Sequence, residues 1–181
     1  MTTPFRPALD LLAHYAQYHR DRRNIATHFV GVPMIVFGVG VLLAGTGFSV
    51  AGLWLTPAWI VYALATLWFL TRGEFLLGLA TTAAVGLLIA LAHPVAAGSF
   101  SRWLAWGVGF FAVGWVIQFV GHYYEGRKPA FVDDLVGLLV SPMFMVLEML
   151  APLGLFKALM ESIEDRAGPT VIRDLAHPAT R

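Results

Sequence analysis

Polar and apolar residues fall along this chain in long blocks rather than in short strand-like alternation. Residues 8–23 place Leu9, Leu12, Ala13 and Ala16 near one face, with Asp10, Gln17 and Arg20 elsewhere, which predicts a weakly amphipathic helix suited to a membrane surface. Almost wholly apolar stretches follow at 29–44, 54–70, 75–92 and 103–120. Each approaches the roughly 20 residues that carry a helix across the hydrocarbon layer, the first by borrowing residues at both ends. Gly45, Thr46 and Gly47 supply the break after it, and Trp54, Trp68, Trp103 and Trp106 lie near segment ends, as interfacial aromatic belts do. A fifth apolar stretch, 135–156, contains Pro142, Glu148 and Pro152 and is expected to re-enter or lie along the interface. Residues 157–181 read as a polar C-terminal tail, a short helix and then a flexible end, with breakers at Gly168-Pro169 and His177-Pro178. The expected fold class is all-α: a polytopic membrane protein of about four transmembrane helices, with residues 1–156 as one membrane-embedded domain.

The placement of basic residues adds an orientation. Arg20, Arg22 and Arg23 precede the first span, Arg72 separates the second and third, and Arg127 and Lys128 follow the fourth, whereas 45–53 carries no charge. The positive-inside rule puts those three groups and the N-terminus on the cytoplasmic side, and an even number of spans makes the placements agree. The polar start, mixed in charge, lacks the basic opening and immediate apolar run of a cleaved signal, so the first apolar segment is expected to stay in the mature protein.

Composition strengthens the membrane reading. With 58% hydrophobic and 13% charged residues, and a mean hydropathy of +0.71, too few polar side chains remain to cover a soluble domain. A net charge of +1 gives no field for nucleic acid. The chain has 0 cysteines, which excludes disulfides, thiolate metal sites and a cysteine nucleophile, so any metal must use nitrogen and oxygen ligands.

Two polar clusters border the first and fourth spans on the same side. One holds His14, Tyr15, Tyr18, His19, Asp21, Asn24, Thr27 and His28; the other holds Gln118, His122, Tyr123, Tyr124 and Glu125, then Arg127, Lys128, Asp133 and Asp134. Trp115, Gln118, His122 and Glu125 recur at helical spacings of three and four and form one stripe. His19 and His28 are nine residues apart, about 180° around an unbroken helix, so both face one site only if the helix breaks between them. A break is expected near 24–27, where a surface helix turns into the membrane. Taken singly, such residues are interfacial anchors, and His14, His93 and His177 are read that way, His93 in a loop on the far side. Three imidazoles at one depth, His19, His28 and His122, are instead a candidate metal set. Imidazole suits zinc, copper, iron and nickel, and spacing does not choose among them. Glu148, set among apolar neighbours, needs either an arginine or tyrosine partner or a supporting role behind a histidine.

Several chemistries have no motif here. The paired histidine boxes of membrane desaturases and hydroxylases, HExxH, GxSxG and the P-loop are all absent.

Two motifs carry a resemblance. The run Tyr18, His19, Arg20, Asp21, then Asn24, Thr27, His28, Gly31 and Pro33, together with Gln118, Gly121, His122, Glu125, Pro129 and Ala130, resembles the family of 2-hydroxy fatty acid dioxygenases of phytosphingosine degradation; Pro142, Phe144 and Glu148 match more loosely. The likeness implies an Fe(II) enzyme that uses dioxygen to cleave the C1–C2 bond of a 2-hydroxy fatty acid within membrane lipid. C1 leaves as carbon dioxide, and the iron role falls on His19, His28 and His122. On that reading Glu125 orients a histidine or moves the hydroxyl proton, and Gln118 and Asn24 hydrogen-bond substrate or ligands. Arg20, Arg23, Arg127 or Lys128 draw the carboxylate to the cytoplasmic face. The competing class is a non-catalytic carrier or proton-relay bundle, which calls for polar groups through the full membrane depth; zinc-dependent lipid hydrolysis is a smaller alternative.

Overall fold

The computed structural model describes residues 5–128 and 135–174. Pro129, Ala130, Asp133, Asp134, His177 and Pro178, singled out above, lie outside the described residues. Within those described, the chain is all-α apart from one hairpin. Helix α1 (Ala8–Ala16) is followed by α2 (Arg22–Ala44), the hairpin β1 (Phe48–Val50) and β2 (Leu53–Leu55), α3 (Pro57–Leu70), α4 (Phe75–Ala96) and α5 (Phe100–Glu125). After them come α6 (Gly137–Leu150), a 3-10 turn (Ala151–Leu153) and α7 (Lys157–Ala167).

The α1–α2 junction falls earlier than 24–27. The N–H groups of Gln17, Tyr18 and His19 reach back three residues, to the carbonyls of His14, Tyr15 and Ala16. The chain then extends at Asp21 (φ −80°, ψ 126°), whose carboxylate accepts from the Arg23 N–H at 2.8 Å and caps α2. Capping is the physical reason for the shift: a carboxylate accepting the first free N–H groups fixes a helix start, and Asn24 and Thr27 are then helical.

Helices α2, α4 and α5 have 23, 22 and 26 residues and are apolar enough to cross a membrane. At a rise of about 1.5 Å per residue, each covers the ~30 Å hydrocarbon layer. The expected second span is shorter than its apolar run, because Trp54 belongs to the hairpin and α3 starts at Pro57, giving 14 residues. The hairpin turns through Ala51 (φ 50°) and Gly52 (φ 81°), the left-handed pair that a tight two-residue turn requires. His93, expected in a loop, lies in the last turn of α4 with Pro94. The fifth apolar stretch is helical through most of its length, as α6 and its 3-10 turn, and at its end the chain bends by 118° into α7. Leu64, Leu67, Leu87, Leu91, Val116 and Phe119 are exposed on α3, α4 and α5, an apolar surface that lipid must cover.

Two kinds of packing hold the bundle. Helices α2 and α5 run antiparallel with their backbones nearly touching, since a Cβ on Gly31 would sit 2.9 Å from the Gly114 carbonyl oxygen. At Gly121 it would meet Asn24 and Thr27. Small residues permit that approach, and it sets His28 and His122 at one height. By contrast, α1 is covered by protein: Leu11, Leu12 and Ala16 join Met143, Phe144, Leu147 and Ile163 of α6 and α7 in one buried cluster.

Candidate metal centre

Three elements bring three imidazoles together. His19 lies in the α1–α2 junction, His28 two turns into α2, and His122 in the last turn of α5. All are buried, and one nitrogen from each lies within 4.8 Å of the others. Ring centroids are 4.6 Å apart for His19 and His28, 5.0 Å for His19 and His122, and 5.1 Å for His28 and His122.

The hydrogen bonds fix the tautomers of two rings. His19 Nδ1 donates to the Tyr15 carbonyl at 2.8 Å, and His28 Nδ1 donates to the Asn24 carbonyl at 2.9 Å. A carbonyl only accepts, so both protons sit on Nδ1 and each neutral ring presents a lone pair on Nε2. Those two Nε2 atoms face each other at 3.2 Å. Unshared lone pairs so placed repel, and burial, followed by the neighbouring imidazoles of His28 and His122, pushes the His19 pKa well below its ordinary value, which opposes a bridging proton. A cation between them resolves the conflict. At metal–nitrogen distances of about 2.0–2.1 Å, two ligands of one ion stand roughly 3 Å apart. The Nδ1 of His122 is buried and makes no well-aligned hydrogen bond among the described residues, with the Arg127 backbone beside it. The donor set therefore fits a metal held by three neutral imidazoles, a set that suits iron among others.

A chamber of about 430 Å³ opens from the centre into the bundle. His19, His122, Gln118, Tyr15 and Ser141 line its head. Tyr15 stacks on His19 at 4.0 Å and donates to the Ser141 hydroxyl at 2.8 Å; burial pushes its phenol pKa up, which keeps it a donor. The walls are apolar, with Val32, Val39, Phe111 and Trp115 facing one another along α2 and α5. Leu43, Ala58 and Ile89 line the end farthest along α2. Beyond them the Thr56 hydroxyl meets His93 Nε2 at 3.0 Å, and Trp59 stacks on His93. No charged side chain lines the chamber among the described residues.

The other residues singled out in the sequence sit around this centre. Glu125 turns away from the imidazoles: its Oε2 accepts from the N–H groups of Arg20 and Asp21 at 2.9 and 2.7 Å and from Asn24 Nδ2 at 3.2 Å. Its Oε1 accepts from Arg173 at 3.0 and 2.7 Å. Arg20 is buried, donating to the carbonyls of Ala16, His19 and Gly168 and pairing with Glu148 at 3.5 Å. Glu148 thus meets an arginine and reaches His19 only through it. Arg23 pairs with Asp21 at 2.8 Å, and Arg127 donates to the Gln17 carbonyl at 2.8 Å. Burial works against the Asp21 carboxylate, but hydrogen bonds from the Arg23 side chain and from the N–H groups of Arg173 and Arg23 outweigh it and hold its pKa at about 2. Sequence reasoning passed over Ser141 and Arg173, and gave Tyr15 no role. Their signals were only a hydroxyl beside Pro142 and an arginine in a polar tail, neither of which stands out locally.

The comparisons with known proteins point the same way. The family described as Mpo1-like, 2-hydroxy-palmitic acid dioxygenase Mpo1-like, matches residues 5–153. A Saccharomyces cerevisiae protein named 2-hydroxy-palmitic acid dioxygenase MPO1 is 30% identical over 161 residues, 84% of this chain and 85% of that protein. No solved structure matches.

Proposed function

The chain belongs to the Mpo1-like family, and from that premise we propose that it is an Fe(II)-dependent dioxygenase of 2-hydroxy fatty acids that works within the membrane. The observation that carries the reading is the convergence of His19, His28 and His122 at the head of an apolar chamber. The overall change is balanced without a further reductant: a 2-hydroxy acid and one dioxygen give the acid one carbon shorter, carbon dioxide and water. Dioxygen takes the four electrons released as C2 becomes a carboxyl carbon and the C1–C2 bond breaks. Ferrous iron supplies dioxygen activation and a Lewis-acidic anchor for the 2-hydroxy carboxylate.

The protein's own groups do the rest. The walls between α2 and α5 take the acyl tail and keep water from the reacting end. Tyr15, held as a phenol, donates to Ser141, and the Ser141 hydroxyl proton is then offered to a carboxylate oxygen. Gln118, beside His122 at the chamber head, presents its amide to the 2-hydroxyl. Arg23, Arg127 and Lys128 mark the cytoplasmic side and draw the carboxylate to that boundary. A proton relay has less support, because beyond its head the chamber is lined, among the described residues, by apolar side chains apart from the Tyr62 hydroxyl and the Trp115 indole.

The test is metal analysis of protein purified without oxygen, followed by turnover of 2-hydroxypalmitate. Expected are stoichiometric iron, dioxygen consumption and a pentadecanoic acid product. Protein devoid of iron, or turnover that persists without dioxygen, overturns the proposal.

A further inference from the structure

We infer that the stretch after α7, residues 168–174, is a working strap of the metal centre, with Arg173 as a positioning residue that holds His19 through Glu125. The inference rests on the three-histidine metal site proposed above.

His19 lies where the backbone is not helical, so its neighbours' polar groups must be satisfied elsewhere. Their partners come from two places. The N–H groups of Arg20 and Asp21 go to Glu125 Oε2, while the Arg22 N–H goes to the Val171 carbonyl at 2.9 Å and the Val171 N–H returns to the Arg20 carbonyl at 2.8 Å. Val171 and Asp21 form a parallel bridge. The strap also grips by side chains. The Arg173 N–H donates to Asp21 Oδ2 at 2.8 Å, Arg23 Nη2 donates to the Arg173 carbonyl at 2.8 Å, and Arg20 Nη1 donates to the Gly168 carbonyl at 3.1 Å.

Arg173 links the two halves. Its guanidinium meets Glu125 through Nε and Nη2, both donating to Oε1, two charge-assisted hydrogen bonds to the oxygen that the junction's N–H groups leave free. Glu125 is 1% exposed and Asp21 0%; with the Arg173 side chain gone, the buried Glu125 carboxylate loses its guanidinium donors and the junction loses that half of its clamp, while the main-chain N–H of residue 173 still serves Asp21. His28 and His122 touch this network through the Asn24–Glu125 hydrogen bond alone, and the α2–α5 backbone contact holds them together without it. Loss of the strap therefore withdraws one imidazole and leaves the other two.

The test uses the full chain in detergent, loaded with Co(II), whose visible bands report coordination. The unaltered protein is expected to bind one Co(II), and failure there counts against the metal centre itself. In Arg173→Ala the affinity is expected to fall about 10- to 100-fold, the usual effect of removing a ligand's supporting partner, with the visible bands changed and helical content kept. Arg173→Lys is expected to recover part of that loss, and it carries the test alone if the alanine variant does not fold. Arg166→Ala removes a separate bond from α7 to Asp10 and is expected to bind Co(II) as tightly as the unaltered protein. Unchanged affinity and bands in the Arg173 variants, or an equal loss in Arg166→Ala, overturn the inference.

Discussion

Two of the three imidazoles are placed by apolar packing and the third by a polar network. His28 and His122 follow from α2 and α5 lying backbone to backbone at Gly31, Gly114 and Gly121, a contact with no charge and little freedom. His19 follows from Glu125, Asp21 and the 168–174 strap, which join residues 48 to 152 positions apart. Packing of the first kind fails by steric force; the second fails by loss of charge or of a donor. One site thus has a fixed pair of ligands and a conditional third.

The largest effect tests the packed pair. Gly31→Val adds bulk where a Cβ already meets Gln118 Cγ at 2.8 Å and the Gly114 oxygen at 2.9 Å. The helices must part, at a cost of about 1–3 kcal/mol or more, and metal binding is expected to be abolished; thermal melts and metal stoichiometry check both. A Gly31→Val protein that binds metal normally breaks the comparison. Next is Glu125→Gln, whose amide turns a donor toward Arg173. The expected loss is about 2 kcal/mol, in the range for hydrogen bonds to charged groups, read by denaturant unfolding. Metal binding is expected to weaken rather than vanish, since His28 and His122 keep their places.

A smaller effect comes from acid. The folded Asp21 pKa of about 2 lies below the unfolded value of about 3.9, so its contribution is present above about pH 4 and lost as pH falls through about 2. The stability difference between the metal-free protein and its Asp21→Asn variant is expected to hold steady above pH 4 and shrink toward pH 2, measured by urea titration. A difference that grows on acidification contradicts the assigned sign. The smallest effect on the metal is expected from Ala58→Phe, at the far end of the chamber and remote from both holding devices. Metal binding stays, while kcat/KM drops on the order of tenfold or more per methylene that no longer fits, a competition assay showing preference for shorter 2-hydroxy acids.

What the sequence showed, and what it hid, follows the same division. The apolar blocks revealed α2, α4 and α5 because lipid-facing helices need only local hydrophobicity, and the spacing of Gln118, His122 and Glu125 revealed their shared face. The need for a break between His19 and His28 was legible from helical geometry, but its position was not. Asp21 decides it by accepting from Arg23, and short polar side chains nearby offered equal alternatives. The tail was expected to be flexible after its short helix, yet residues 168–174 are bound to the junction, because Arg173 meets partners 48 and 152 positions away. That Glu125 stands near the histidines was legible, but its pairing with Arg173 was not: a stripe shows which residues share a face, not which of them a distant segment will claim.

The shortness of α3 bears on the surrounding lipid. Its 14 residues rise only about 21 Å, well under the ~30 Å of hydrocarbon around it. For α3 to cross the bilayer, acyl chains beside it must compress or headgroups must dip, next to the wall that Ala58 and Val61 contribute to the chamber. Thinner bilayers relieve such a mismatch and thicker ones aggravate it, so the protein's stability is expected to depend on the thickness of the bilayer that holds it.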